Sequence, residues 1–164
     1  MSWIRKKKQY TKPRKLYDKK RIEEEKDIIQ KYGLKNKREI WKADSKIRRI
    51  RGMAKNLITA SQEKQNKLIE KLKKIGFKVE KIADVLALTK ENWLERRLQT
   101  IVFKKGLTKT PKGARQMITH KHITVDGRVI NKPSYIIDLE KENKIGIKFK
   151  TKPLQEAGEI KKNE

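Results

Sequence analysis

Apolar residues recur at intervals of three and four through the first half of the chain, the spacing that lines one face of a helix. One helix is predicted after Asp18, with Gly33 at its end in a left-handed conformation. A second, longer helix follows Asn36, and a third runs from Ser61 to Gly76. Three such helices can share one small core. The apolar positions are Ile22, Ile28, Ile29 and Tyr32, then Ile40, Ala43, Ile47, Ile50, Ala54 and Leu57, then Leu68, Leu72 and Ile75.

The pattern changes near residue 88, where helices alone give way to helices followed by strands. We predict one helix from Thr89 to Gly106. Another starts at Thr110 and Pro111, a cap followed by a residue whose missing N–H costs nothing in the first turn. The residues predicted to face inward are Leu94, Leu98, Ile101 and Val102 in the first helix, and Ala114, Met117 and Ile118 in the second.

Two later segments alternate with a period of two, which is typical of half-buried strands. Residues 122–130 alternate about Asp126 and Gly127, a dipeptide that suits the positive φ angles of a tight hairpin turn. Residues 144–150 alternate basic and mostly apolar side chains. We therefore expect a small, mostly antiparallel sheet.

These patterns predict an α+β fold in four segments. The first, residues 1–17, is a basic extended arm in which aromatic residues interleave with lysines and arginines. Without a ligand it is either a solvated tail or a segment that orders only on binding. A helical N-terminal domain follows at 18–91, then a module of two helices and the small sheet at 92–152. Residues 153–164 are predicted to form a polar tail.

The net charge of the chain is the strongest indication of its ligand. The chain has 46 Lys and Arg against 20 Asp and Glu, a formal net charge of +26, so a polyanion is expected in the native state. Nucleic acid fits better than a membrane surface because the basic residues run from Lys6 to Lys162 instead of lying on one amphipathic helix. Charge alone leaves RNA and DNA both open.

Composition also excludes several kinds of chemistry. The sequence has no cysteine, so disulfides and thiolate zinc sites are impossible, and a reducing cytosol is compatible with the chain. The basic N-terminus is followed by no apolar stretch, so we expect neither export nor a membrane span. A length of 164 residues leaves little room for a large enzyme domain.

Two sets of cations are candidate phosphate contacts. Arg48, Arg49 and Arg51 lie off the apolar stripe of the second helix, where a solvated face is the alternative explanation. The other set is predicted to project from one edge of the C-terminal module, where the start of the second helix adds partial positive charge. Its members are Arg96, Arg97, Lys104, Lys109, Lys112, Arg115, His120 and Lys121.

The alternate histidines His120 and His122 have three explanations: a metal site, a structural role, or hydrogen bonding and stacking with RNA. No further ligands for a metal are evident in the sequence, and the basic surroundings favour RNA. Trp41 and Trp93 fit a core or an interface better than base stacking, whereas Trp3 on the basic arm could stack on a base.

The runs Leu94–Thr100 and Ala114–Gly127 together resemble the S-four RNA-binding domain, a family named after the fourth protein of the small ribosomal subunit. The run Tyr32–Trp41 resembles the archaeal and eukaryotic members of its ribosomal branch. The resemblance implies a structural constituent of the small ribosomal subunit in the cytoplasm. It further implies a primary ribosomal RNA-binding protein that nucleates assembly of the subunit body and supports translational accuracy.

The resemblance also implies partners and contacts. The partners would be small-subunit ribosomal RNA, neighbouring proteins of the subunit including the fifth, and messenger RNA near the site where it enters. Some bacterial relatives carry an N-terminal cysteine cluster for zinc, but this chain has no cysteine, so no metal or other cofactor is expected. The RNA contacts that carry over are Arg96, Arg97, Lys104, Lys112, Arg115, Gln116, His120 and His122.

Two alternatives use the same module. One is a free ribosome-associated RNA-binding factor, and the other is the accessory part of an RNA-modifying or aminoacylating enzyme. Residues 1–88 offer no nucleotide-binding glycine motif and no nucleophile beside a base, so we expect no catalytic activity.

Overall fold

The computed structural model describes residues 9–148, in which eight helices and three strands form the expected α+β fold. The N-terminal helices are α1 (Lys19–Tyr32), α2 (Lys37–Leu57), α3 (Gln62–Ile75) and α4 (Ile82–Ala87). The remaining elements are α5 (Lys90–Glu95), α6 (Leu98–Lys104), α7 (Pro111–Thr119), β1 (Ile123–Val125), β2 (Arg128–Val129), α8 (Leu139–Glu142) and β3 (Ile145–Ile147).

The three predicted N-terminal helices are confirmed, with helix ends at the predicted glycines. Gly33 and Gly76 have φ angles of 59° and 95°, in the left-handed region that glycine adopts without a Cβ clash. Gly76 has a second constraint, because a Cβ added there would lie 2.6 Å from Cζ of Arg96. The Asp18 side chain, by contrast, makes no capping hydrogen bond.

The long helix α2 connects two hydrophobic clusters. Its first half packs Ile40 and Ala43 with Ile28 and Tyr32 of α1, and Leu94 of α5 completes this cluster. Its second half packs against α3, α4 and the segment between them. The buried residues of that second cluster are Ile47, Ile50, Ala54, Leu68, Ile69, Leu72, Phe77, Val79, Val85 and Leu88.

The predicted single helix from Thr89 to Gly106 is wrong, because α5 and α6 are separated at Arg96 and Arg97. Arg97 instead forms an antiparallel bridge with Ile136. The Leu98 N–H donates to the carbonyl oxygen of Tyr135 at 2.7 Å, so long-range backbone hydrogen bonds replace those of a continuous helix. The break turns Arg97 inward, and with 4% exposure its side chain does not project from the edge of the C-terminal module as predicted.

The predicted hairpin is confirmed, with Asp126 and Gly127 at φ angles of 52° and 74°. The antiparallel sheet has the strand order β2-β1-β3, and Val125 pairs with Arg128 on one side and Ile145 on the other. One face of β1 closes a third hydrophobic cluster against α6 and α7. Its buried residues are Leu98, Ile101, Val102, Ala114, Ile118, Ile123, Val125 and Ile137.

The described part of the predicted arm lies against α2. The Tyr10 ring is 5.9 Å from that of Trp41, and the Thr11 N–H donates to Oγ of Ser45 at 3.1 Å. Residues 9–17 form neither helix nor strand. The first eight residues, Trp3 among them, and the predicted tail at 153–164 lie outside the described residues, and the boundaries between the four predicted segments stay predictions.

Replacing Leu98 with alanine tests the packing of the third cluster. Leu98 is fully buried, so Leu98→Ala should lower the free energy of unfolding by about 2 to 5 kcal/mol through the cavity it leaves. Leu139, which is 51% exposed, supplies the control, and Leu139→Ala should change stability by no more than about 0.5 kcal/mol. Urea unfolding monitored by circular dichroism measures both, and equal effects would contradict the assigned helix face.

Candidate nucleic-acid interface

A half-buried carboxylate joins the helical region to the C-terminal module. Glu39 of α2 accepts hydrogen bonds from Arg97 at 2.6 Å and from Arg115 of α7 at 2.8 Å and 3.2 Å. The side chains of Glu39, Arg97 and Arg115 are 15%, 5% and 23% exposed, so water screens these ion pairs little. Two residues assigned to RNA contact therefore hold the protein together as well.

The two arginines keep the Glu39 carboxylate ionised. Burial raises the pKa of Glu39, but hydrogen bonds and positive charge from Arg115 and Arg97 outweigh it, so the pKa lies below the ordinary glutamate value. Burial is the main cause that lowers the pKa of Arg97, and the like charge of Arg115 adds to it. Two guanidinium groups thus share one carboxylate, which leaves the cluster with net positive charge.

Gln99 reinforces the same junction. Its side-chain nitrogen lies 3.0, 2.9 and 2.9 Å from the carbonyl oxygens of Tyr32, Gly33 and Pro111, and its oxygen is 3.4 Å from Arg115. With 1% exposure, this amide satisfies carbonyl groups at the end of α1 and at the start of α7. Sequence reasoning missed both Glu39 and Gln99, since neither lies beside its partners along the chain.

Arg96 also has a structural role. Its Nε donates to the carbonyl oxygen of Ile75 at 2.7 Å and its Nη2 to that of Ile137 at 3.0 Å. The guanidinium also pairs with Glu142 at 2.9 Å, and the side chain is 13% exposed. Arg96 therefore links α3 to α8 and to the segment before it, and its assignment to RNA contact stays a prediction.

Exposed cations surround the start of α7. The Thr110 hydroxyl accepts a hydrogen bond from the Gly113 N–H at 3.0 Å, which confirms the predicted cap. Lys109, Lys112 and Gln116 are exposed, and neither lysine makes an ion pair with another described residue. The helix start adds partial positive charge at the same place. These side chains are therefore available to a phosphate.

The segment before β1 presents its two histidines together. The rings of His120 and His122 are 6.3 Å apart and nearly parallel, at 12°. Lys121 between them has a φ of 64° and is exposed, as is His120, whereas His122 is half-buried.

Lys104, the last residue of α6, lies on the surface. Its ammonium group is 3.3 Å from the carboxylate of Glu95, and both side chains are about half exposed.

The three arginines of the set on α2 differ in their surroundings. Arg49 is exposed, and Arg48 is exposed but lies 2.9 Å from Asp44 one turn earlier on the helix. Arg51 is half-buried and donates a hydrogen bond to the carbonyl oxygen of Leu88, which ties α2 to the end of α4. Arg48 and Arg49 are thus placed on the surface, and Arg51 contributes to the fold.

A groove of about 530 Å³ opens beside the Glu39 cluster, between α2, α7 and residues 131–136. It is lined by Arg97 and Arg115 and by three exposed lysines, Lys42, Lys46 and Lys132. Sequence reasoning missed the three lysines. Lys42 and Lys46 precede the buried positions Ala43 and Ile47 of the stripe, so they could have been found, but the position of Lys132 depends on the tertiary fold.

Within residues 9–148, no group of three or more His, Cys, Asp or Glu side chains is placed to hold a metal ion. None of the helices in the same range has the length and apolar character needed to cross a membrane.

Comparison with known proteins gives consistent matches. The family model for the S4 domain matches residues 96–143. The small ribosomal subunit protein uS4 of Saccharolobus solfataricus is 46% identical over 159 residues, covering 87% of each chain. That of Methanothermobacter thermautotrophicus is 46% identical over 145 residues, covering 85% of each. That of Thermoplasma volcanium is 45% identical over 147 residues, covering 84% of this chain and 74% of the relative.

Replacing Glu39 with glutamine tests the shared carboxylate. Glu39→Gln should lower the free energy of unfolding by about 3 kcal/mol at neutral pH, because the buried guanidinium of Arg97 and the half-buried one of Arg115 lose their counter-charge. The folded-state pKa is lowered, so this stabilisation is present above the unfolded value near 4.5 and is lost as the pH falls through the folded value. The difference from wild type should therefore shrink in acid.

Urea unfolding of both proteins at neutral pH and at a series of values below 4.5 measures this difference. Glu63→Gln is the matched control, since Glu63 is exposed on α3 and makes no ion pair with another described residue. A Glu39→Gln difference that is absent at neutral pH, or independent of pH, would contradict the cluster's role.

Proposed function

The chain belongs to the family of small ribosomal subunit protein uS4, and from this we propose that it acts by binding ribosomal RNA through shape and charge. It is a structural constituent of the small ribosomal subunit with an RNA-binding S4 domain. The observation that carries the proposed mechanism is the exposed positive charge at the start of α7, which makes no ion pair with any of residues 9–148. Such charge on a folded surface is stable beside a polyanion and repels itself without one.

Recognition by this surface is directed mainly at the RNA backbone. The deep groove of A-form RNA hides base edges from side chains, whereas phosphates and ribose hydroxyls are accessible. Lys109 and Lys112 act as mobile point charges beside the N-terminus of α7, and Gln116 can hydrogen-bond a hydroxyl. Specificity then comes from the arrangement of backbone groups in a folded RNA junction.

The cations of the site divide into two groups by burial. Arg97 and Arg96 are held inside the protein, where they set the relative positions of the helices and the sheet. Arg115 is 23% exposed, so it can contact RNA while it remains paired with Glu39. Direct phosphate contact falls mainly to the exposed residues. These are Lys104, Lys109, Lys112, Gln116, His120 and Lys121, together with Arg48 and Arg49 on α2.

A primary binder of this kind orders an RNA junction early, so the chain is expected to nucleate assembly of the subunit body and to support translational accuracy. The proposed partners are small-subunit ribosomal RNA, neighbouring proteins including the fifth, and messenger RNA near its site of entrance. The proposed location is the small ribosomal subunit in the cytoplasm. The relatives are named as ribosomal subunit proteins, which supports a binding role without catalysis.

Replacing Lys112 with alanine tests the phosphate surface. Lys112→Ala should weaken binding to small-subunit ribosomal RNA and reduce the slope of log affinity against log salt by about 1, because one phosphate contact and its released counterion are lost. Lys64→Ala on α3 removes the same charge from an exposed helical position and should leave the slope nearly unchanged. Filter binding from low to moderate salt measures both slopes, and identical slopes for wild type and Lys112→Ala would refute the assignment.

Retention on ribosomal particles tests the role as a constituent. After a high-salt wash and sucrose-gradient sedimentation, the chain should remain with small subunits in about one copy each, since a transient charge-bound factor is stripped under these conditions. Complete loss in the wash would favour a free ribosome-associated factor and contradict the proposal.

A further inference from the structure

The groove beside Glu39 collects positive charge from three distant parts of the chain. It lies where α2, α7 and residues 131–136 meet. Five cationic side chains line it, against a single carboxylate, that of Glu39. The cations are Lys42, Lys46, Arg97, Arg115 and Lys132.

The described residues leave most of this charge uncompensated. Glu39 is already shared by both arginines, and the three lysines make no ion pair with any residue of the described range. The groove therefore carries a surplus of four positive charges. A cleft lined by one sign of charge concentrates the electric potential and attracts an anion.

One buried donor in the groove wall also lacks an acceptor. The Nε of Arg97 is inaccessible to solvent and has no hydrogen-bond partner among residues 9–148. Buried donors of this kind are normally paired, so the wall of the groove is short of an acceptor as well as of negative charge. A phosphate held by the exposed lysines supplies the negative charge.

The position of the groove favours RNA as its occupant. Arg115 lies on the groove wall and belongs to α7, whose first turn carries the exposed Lys112 of the proposed RNA surface. A strand that docks at the start of α7 can therefore continue along the helix into the groove. Lys42 and Lys46 are one helical turn apart, roughly 6 Å along α2, so their ammonium groups can contact separate phosphates.

We propose that this groove binds the sugar–phosphate backbone of a ribosomal RNA strand, with Lys42, Lys46 and Lys132 as its phosphate contacts and Glu39 as the internal counterion that positions the two arginines. The proposal rests on the proposed function, because it assumes that the chain binds small-subunit ribosomal RNA. It adds contacts from α2 and from the segment at Lys132, outside the surface at the start of α7.

A charge-matched pair of double variants tests the groove. Lys42→Ala with Lys46→Ala is compared with Lys67→Ala with Lys71→Ala, which removes the same charge at the same spacing from α3. All four lysines are exposed and lack ion pairs within the described range, so both variants should fold.

Filter binding to small-subunit ribosomal RNA supplies the readout. The α2 variant should reduce the salt slope by about 2, and the α3 variant should keep a slope near that of wild type. Equal salt slopes for the two variants, with tight binding by wild type, would contradict RNA binding in the groove and leave the proposed function intact. Failure of the wild-type protein to bind this RNA would overturn the proposed function itself.

A photo-crosslinking amino acid in place of Lys132 gives an independent readout in assembled small subunits. The expected product joins the protein to ribosomal RNA. A crosslink to a neighbouring protein would identify an acidic protein surface as the occupant and overturn the proposal, as would the absence of any RNA crosslink.

Discussion

The ion pairs of Glu39 with Arg97 and Arg115 are the contact on which the rest of the structure depends. Helix α2 brings the carboxylate, and the two guanidinium groups come from the start of α6 and from α7. Because these charges are largely shielded from water, removing one partner leaves an uncompensated buried charge. The shared carboxylate, helped by the Gln99 amide, therefore holds the helical region and the S4 domain in one relative position.

That fixed position places the surplus cations at defined distances from one another. A chain with a net charge of +26 can bind any polyanion loosely, but recognition of one RNA fold requires cations at set distances from one another. Arg97 and Arg115 position α2, α7 and the segment at Lys132, and the exposed lysines on these elements face solvent. The cations that hold the fold together thus lie beside those that we propose to contact RNA.

The sequence allowed most of the local structure to be predicted, because helical spacing, the glycines that end α1 and α3, the Thr110 cap and the Asp126-Gly127 turn depend on nearby residues. The side chains of Asp18, Asn36 and Ser61 make no capping hydrogen bond. The break between α5 and α6 could not be predicted this way, since it is caused by pairing between Arg97 and Ile136, about forty residues apart. Burial of Arg97 follows from the same long-range contact. The groove was missed for a related reason: Lys132 reaches it only through the tertiary fold.

A distance measurement between the helical region and the S4 domain tests this account most directly. The chain has no cysteine, so spin labels can be attached specifically after Lys67→Cys on α3 and Arg128→Cys on β2, both exposed positions. Electron–electron double resonance should give one narrow distance distribution in the free protein, unchanged when small-subunit ribosomal RNA is added. A broad distribution that narrows only with RNA would show that the RNA, and not Glu39, sets the arrangement.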